Sequence, residues 1–197
     1  IDPDSIRENI TGSTRGIIAV SLFGQCADFD SIHAIAEEHG LWVVEDAAQS
    51  FGAEYKGRKS CSLTEIAATS FFPAKPLGCY GDGGALFTDD DLVARRMRMI
   101  LNHGQEKRYH HAVVGINGRL DALQAAVLLV KLKHFDEEIE ARQRTAELYT
   151  EKLKDIVETP VVPEGRTSVW AQYTVRHPRR DEITAKLKER GVPTAVH

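Results

Sequence analysis

Apolar residues recur along the chain in two rhythms, and their alternation predicts the architecture. Gly16-Ile17-Ile18-Ala19-Val20-Ser21-Leu22-Phe23 is a continuous β-branched and apolar run. Such a run predicts a strand covered on both faces. Asp28 or Asp30 is placed to cap a helix whose Ile32, Ile35 and Ala36 share one face and which stops at His39-Gly40, with the glycine past its end. Leu41-Trp42-Val43-Val44 then reads as a second buried strand, ended by Glu45-Asp46. Strand, helix, strand within one short span is a βαβ unit of a parallel sheet. Ligands of such sheets gather beyond the carboxyl ends of the strands, which is where Asp46 falls.

Further on, Phe51 to Leu63 predicts a hairpin turning at Tyr55-Lys56-Gly57-Arg58, and Ile66 to Phe72 a third apolar strand. Extended structure resumes at Gly83 to Thr88, and Asp89-Asp90-Asp91 caps a helix whose Arg95, Arg96 and Arg98 read as a solvated face. Leu120, Leu123, Val127 and Val130, with Ala125 and Ala126, form a buried or subunit-facing helical seam. A long helix from Asp136 to about Ile156 carries Glu138/Arg142 and Glu140/Arg144 at i,i+4. After Pro160 and Pro163, Ser168 to His177 predicts a half-exposed strand, Asp181 to Arg190 an amphipathic helix, and Thr194 to Val196 a last strand. That tail has the rhythm of a separate α+β unit, so residues 1–133 are expected to form a large α/β domain and 134–197 a connecting helix with part of a smaller one.

Composition narrows the possibilities further. The chain of 197 residues is 42% hydrophobic and 27% charged, as ordinary globular proteins are, and its net charge of −4 offers no broad basic field for nucleic acid. Cys26, Cys61 and Cys79 are odd in number and lack a Cys-x-x-Cys pair, which suits free thiols in a reducing compartment, hence the cytoplasm. No apolar run is long enough to span a membrane. His103 and the adjacent His110-His111 have no carboxylate spacing around them that would make a metal site. The chain opens on Ile1, which leads us to expect a segment cut from something longer.

The stretch with the most chemistry is Ser70 to Gly84, which sets Lys75 between Pro73 and Pro76 after an apolar strand and before four glycines. A lysine so restrained, where backbone can approach a ligand closely, could present an amine to a carbonyl. Taken alone, a lysine near a tight turn is more often a surface residue lying over its own stem. Asp46 is either a helix cap or a carboxylate aimed into a pocket, and Gln49 could face the same place. Gly115-Ile116-Asn117-Gly118-Arg119 precedes a helix that Asn117 would cap, with free N–H groups suited to phosphate. No Gly-x-Gly-x-x-Gly follows the first strand, which speaks against a lone nucleotide-binding module.

Four segments in order, Glu45 to Ala53, Ser70-Phe71-Phe72-Pro73-x-Lys75, Gly81 to Ala85, and Asn117-x-Arg119-Leu120-x-x-Leu123-Gln124-Ala125-Ala126, resemble the DegT/DnrJ/EryC1/StrS family of sugar aminotransferases. The resemblance implies the aspartate-aminotransferase-like fold, with a mixed, mostly parallel sheet, and pyridoxal 5'-phosphate as cofactor. Ser60-Cys61-x-Leu63-Thr64 and Lys75 to Tyr80 look most like the branch that aminates a UDP-linked 2-acetamido-3-oxo uronic acid for O-antigen synthesis. On this resemblance Lys75 would hold the cofactor as an internal aldimine and shuttle a proton, and Asp46 would keep the pyridine nitrogen protonated. Gln49 would touch the ring's phenolic edge, Ser70 the phosphate, and Asn117 the phosphate in the neighbouring subunit of a homodimer. Arg119 would bind a carboxylate, and His197 would lie near the sugar. The family's N-terminal phosphate-binding turn and its aromatic cover over the ring are missing, and so is its C-terminal end. Lysine rather than histidine at position 75 favours transamination over dehydration.

The resulting expectation is a two-half-reaction, ping-pong transfer of nitrogen from glutamate to C3 of a UDP-linked ketosugar. Two alternatives stay open: amination at C4 of a nucleotide-linked 4-ketosugar, and a non-catalytic relative that binds cofactor or nucleotide-sugar without turnover.

Overall fold

The structure, a computed structural model, describes residues 1–197. Helix α1 (Pro3–Asn9) leads into β1 (Gly16–Val20), a short 3-10 turn at Leu22–Gly24, α2 (Phe29–His39) and β2 (Trp42–Asp46). Asp28 caps α2 by accepting from Ser31 N, and Gly40 closes it at φ 62°, a left-handed conformation that side chains resist. A hairpin, β3 (Glu54–Tyr55) and β4 (Arg58–Lys59), precedes β5 (Ile66–Ser70) and β6 (Gly84–Phe87). The sheet order is β1-β2-β5-β6. β1, β2 and β5 run parallel, and β6 returns antiparallel along β5. The predicted α/β class with a mixed, mostly parallel sheet is what the chain forms.

Register sorts the sheet into two unequal faces. Ile17, Ala19, Val43, Glu45, Ala67 and Thr69 are buried, and the first three share a core with the α2 residues Phe29, Ile32, Ile35 and Ala36 and with Tyr55 and Val169. On the other face Ile18 is 60% exposed, Val20 37% and Leu86 58%. The strands therefore do not have the cover on both faces that their apolar runs predict. One face packs on α2, and no element of this chain lies over Ile18 or Val20. A continuous run predicts burial in the assembled protein, and it cannot say which chain segment supplies the cover.

A smaller core gathers Phe71, Leu77, Cys79, Leu128 and Phe135, with Phe51 edge-on to Phe71. It joins the segment after β5 to α4 (Ala122–Leu132) and α5 (Phe135–Leu153), which follow α3 (Asp91–Leu101) and the short strands β7 (Gln105–Lys107) and β8 (His110–His111). Along α4, Leu128 is buried while Leu123, Leu129 and Val130 are exposed.

The tail departs from expectation. Ser168 to His177 forms no strand, only the single bridges Gln25 to Ser168 and Glu158 to Arg176, and Trp170 turns at φ 50°. Its indole donates to Gln143 Oε1 at 2.7 Å, so side-chain bonds to α5 take the place of a ladder. The last helix, α6 (Arg180–Glu189), is where periodicity puts it, while Thr194 to Val196 has no strand partner and is not a strand. On α5, Glu140 and Arg144 pair at 3.7 Å, but Arg142 turns away from Glu138 to donate to Trp170 O at 3.2 Å. No helix is long and apolar enough to cross a membrane, and no three His, Cys, Asp or Glu residues are grouped to hold a metal ion.

Candidate active site

β2 runs to Asp46 itself, which lies in register with Val20 and Ala68. Ser70 stands two residues beyond Ala68 on the same sheet face, since side chains alternate with a period of two. Asp46 and Ser70 therefore share the open face at the carboxyl ends of two neighbouring parallel strands. Asp46 Oδ1 accepts from Ala48 N at 3.0 Å, and its second carboxylate oxygen has no protein partner. Ser70 Oγ accepts from Phe72 N at 3.2 Å, which leaves its proton free to donate outward.

Lys75 rides on a closed loop. Phe71 N donates to Gly83 O at 2.7 Å, Cys79 N to Phe71 O at 2.8 Å, and Lys75 N to Phe72 O at 2.9 Å. Beneath it Phe71, Leu77 and Cys79 are buried. α4 fastens the loop from outside, with Lys131 Nζ donating to Gly78 O at 2.7 Å and Gln124 Oε1 accepting from Tyr80 N at 2.8 Å. The half-buried Lys75 has neither an ion pair nor a side-chain hydrogen bond. Its amine is thus held on a braced loop and left free.

Gln49 Oε1 accepts from Phe23 N at 2.8 Å, at a residue whose φ is 60°. The Phe23 ring in turn stands edge-on to His197, with centroids 6.1 Å apart. The structure therefore brings His197 to Gln49 through Phe23, a residue that sequence reasoning left unassigned. Asn117 and Arg119 are exposed and bonded to each other, Arg119 Nε donating to Asn117 Oδ1 at 3.1 Å. Asn117 does not cap α4: Asp121 holds that position, without a side-chain bond, and Asn117 bridges Asn102 instead. No hydrogen bond joins the Asn117–Arg119 pair to Asp46, Gln49, Ser70 or Lys75. Their segment does border a hollow of about 740 Å³ beside the edge strand β6, whose walls include Ala68, Gly84, Leu86, Arg98, Gly118 and Leu120.

Behind this edge lies a group that the sequence reading treated only as a strand terminator. Glu45 is fully buried. Burial pushes its carboxyl above the ordinary range, and bonds from Ser60, Cys61 N and Ser21 pull it part of the way back. Cys26 and Cys61 nearby are pushed up to about 12, by burial first and by the Glu45 charge second. Period-two alternation from Val43 to Glu45 was the available clue, since it sets Glu45 on the apolar face.

The family model described as the DegT/DnrJ/EryC1/StrS aminotransferase family matches residues 1–197. The UDP-2-acetamido-2-deoxy-3-oxo-D-glucuronate aminotransferase of Pseudomonas aeruginosa is 58% identical over 198 residues, covering 100% of this chain and 55% of that protein. A pleiotropic regulatory protein of Geobacillus stearothermophilus is 48% identical over 201 residues, covering 100% of this chain and 54% of its own length. Among solved structures, S. venezuelae DesV in complex with a ketimine intermediate superposes with a TM-score of 0.94 at 42% identity, over 98% of this chain and 53% of that one. The chain spans about half the length of the curated relatives it matches.

Proposed function

The chain belongs to the DegT/DnrJ/EryC1/StrS aminotransferase family, and from that membership we propose that it is the cofactor-binding part of a pyridoxal-phosphate-dependent sugar aminotransferase acting on a UDP-linked 3-keto-2-acetamido uronic acid. The observation that carries the reading is the free amine of Lys75 on a braced loop directly after the strand that ends in Ser70, next to the strand that ends in Asp46. The 58% identity to the P. aeruginosa enzyme supports the choice of sugar.

The residues present suit the cofactor by the chemistry of their unused atoms: an unpartnered amine, a carboxylate oxygen without a protein donor, and a hydroxyl proton free to give. When bound, pyridoxal phosphate supplies an aldehyde that condenses with amines and a ring that accepts the electron pair left by a departing proton. Lys75 is the residue that would hold the cofactor through its aldehyde, and its amine, when free, would hold and move the proton of the reacting carbon. Asp46 would stabilise a proton on the ring nitrogen, as an opposite charge nearby does. Gln49, pinned by the Phe23 amide, borders the ring. Ser70 donates to the phosphate, and Asn117 donates its amide to the phosphate in the second subunit of a homodimer. Arg119 grips a carboxylate of donor or sugar with its planar fork, and His197 flanks the sugar. Across two half-reactions glutamate would lose its amino group and α-proton and take oxygen from water to become the 2-oxo acid, and C3 of the sugar would gain that nitrogen and one proton, with the electron pair glutamate gave up, as its ketone oxygen leaves in water. Residues 1–133 would form the cofactor domain, and 134–197 the connecting helix with part of a smaller domain. Three free cysteines suit a cytoplasmic setting.

The test is an assay of the purified full-length protein with glutamate against UDP-linked 3-keto and 4-keto sugars. The proposal expects amination of the 3-keto substrate, and turnover of the 4-keto sugar alone overturns its regiochemistry. A second reading, a regulatory relative that binds without turnover, is favoured by the 48% identical G. stearothermophilus protein. It expects cofactor or nucleotide-sugar binding with no transfer to either sugar.

A further inference from the structure

We propose that Glu45 is a positioning residue, whose buried carboxylate fixes to the turn after β4 the turn after β1, which carries Phe23, and the turn after β2, which carries Gln49, beside Asp46 at the cofactor edge. The inference rests on the reading above and adds to it a group that touches neither cofactor nor substrate.

Glu45 precedes Asp46 and points to the opposite face of β2. Its Oε1 accepts from Ser21 Oγ at 3.0 Å and from Ser60 Oγ at 2.8 Å, and its Oε2 accepts from Cys61 N at 2.8 Å. With the Ser60 proton committed to Glu45, the 2.7 Å contact between Ser50 and Ser60 must use the Ser50 proton, so the chain of donors runs Ser50 to Ser60 to Glu45. Ser50 adjoins Gln49. Ser21, at the other arm, donates its backbone N–H to Asp46 O at 2.9 Å and lies two residues before Phe23, whose N–H is held by Gln49. One carboxylate thus ties the turn after β1, the turn after β2 and the turn after β4. Ser21, Glu45, Ser50 and Ser60 are all buried, and the network leaves none of its polar atoms unpaired.

A hydrophobic residue would serve packing alone equally well at this place, because a buried charge gains stability only when every donor around it is in position. What the carboxylate provides is direction. Three donors from two segments converge on two oxygens, and neither segment can slide along β2 without breaking a charge-assisted bond. The Gln49-to-Phe23 bond, which carries no charge, then closes over a frame already fixed.

The test compares the full-length protein with its Glu45→Gln variant, which keeps the shape but carries an amide that cannot accept from all three donors in the present arrangement. Three readouts are taken: thermal melting, hydrogen exchange in peptides covering residues 21–26 and α2, and the affinity for pyridoxal phosphate by visible absorbance. Positioning predicts exchange at 21–26 faster by about tenfold with α2 unchanged, and cofactor affinity weaker by about tenfold, as loss of one charge-assisted bond implies. Where that variant fails to fold, Ser60→Ala cuts the Ser50-to-Glu45 link and is read the same way. Exchange that rises equally in α2, or a lowered melting temperature with unchanged cofactor affinity, overturns the proposal. Failure of the unaltered protein to bind the cofactor at all refutes the underlying reading instead, and is seen before any variant is made.

Discussion

Replacing Gly78 by alanine tests the brace that presents Lys75. A Cβ there would stand 2.6 Å from Pro73 O and 2.7 Å from Phe72 O, both backbone atoms of the Lys75 loop, at a buried position. Neither oxygen can rotate aside as a side chain would, so the turn carrying Lys75 has to open. Overpacking of this kind costs about 1–3 kcal/mol, and alanine's smaller unfolded-state entropy returns about 0.4–1 of it. The net loss of about 1–2 kcal/mol is a fall in melting temperature of about 2–8 °C for a chain of this size. Gly12→Ala is the control: nothing lies within 4 Å of its Cβ, so it should melt at or slightly above the unaltered protein. The assay pairs thermal melts with the rate at which borohydride fixes pyridoxal phosphate to the protein. Gly78→Ala should melt lower and be fixed more slowly, because its lysine is no longer held. If it melts with the control and is fixed at the unaltered rate, the loop does not govern the amine.

Other expectations follow from buried titratable groups and caps. Cys26 and Cys61 have folded values near 12 against an ordinary 9.0. Folding therefore keeps protons that the unfolded chain releases, and stability should be whole below pH 9 and fall as pH rises toward 12. Urea unfolding at stepped pH should show this decline, with a shallower slope in Cys26→Ala/Cys61→Ala. Asp28 is affected by burial, which would raise it, but bonds from Tyr55 and Ser31 together with Arg166 leave it below 3.8. Its contribution is thus present above that value and lost as pH falls through the folded one. Asp28→Ala removes a helix cap and strands the Tyr55 hydroxyl that donates to it at 2.9 Å, so chemical denaturation at neutral pH should show a loss of about 1–3 kcal/mol. Asp90, which accepts from Leu92 N and Val93 N, should cost about 1 kcal/mol as alanine by the same measurement.

Local chemistry made much of this fold legible. Asp28 and Gly40 bound α2, Asp90 caps α3, and Lys56-Gly57 turns the hairpin, because caps and turns are decided by residues next to one another. Asp46 was readable as an edge residue from where its apolar run stops, whereas the run through Ser70 was read on to Phe72 and β5 ends two residues earlier. Long-range pairing was not readable. The half-alternating segment 168–177 bonds to Gly24 through Val169 N and to α5 through Trp170 rather than in a ladder, a choice made by tertiary contacts that leaves Gln172 Oε1 and Thr174 Oγ1 buried without a partner. Glu45 looked like the end of a strand because a charged residue usually is. Only the three donors arriving from Ser21, Ser60 and Cys61 make its burial tolerable, and they come from 24, 15 and 16 residues away. Phe23 escaped notice for the same reason, its role resting on bonds to residues 26 positions along and a ring contact at the chain's last residue.

The central claim is that one amine, at position 75, takes the aldehyde. Mixing the full-length protein with pyridoxal phosphate, reducing with borohydride and mapping the digest by mass spectrometry measures this without needing substrate. One pyridoxyl group per chain is expected, on Lys75, and none on the Lys75→Ala variant. A label spread over surface lysines, or one that persists unchanged when Lys75 is removed, contradicts it.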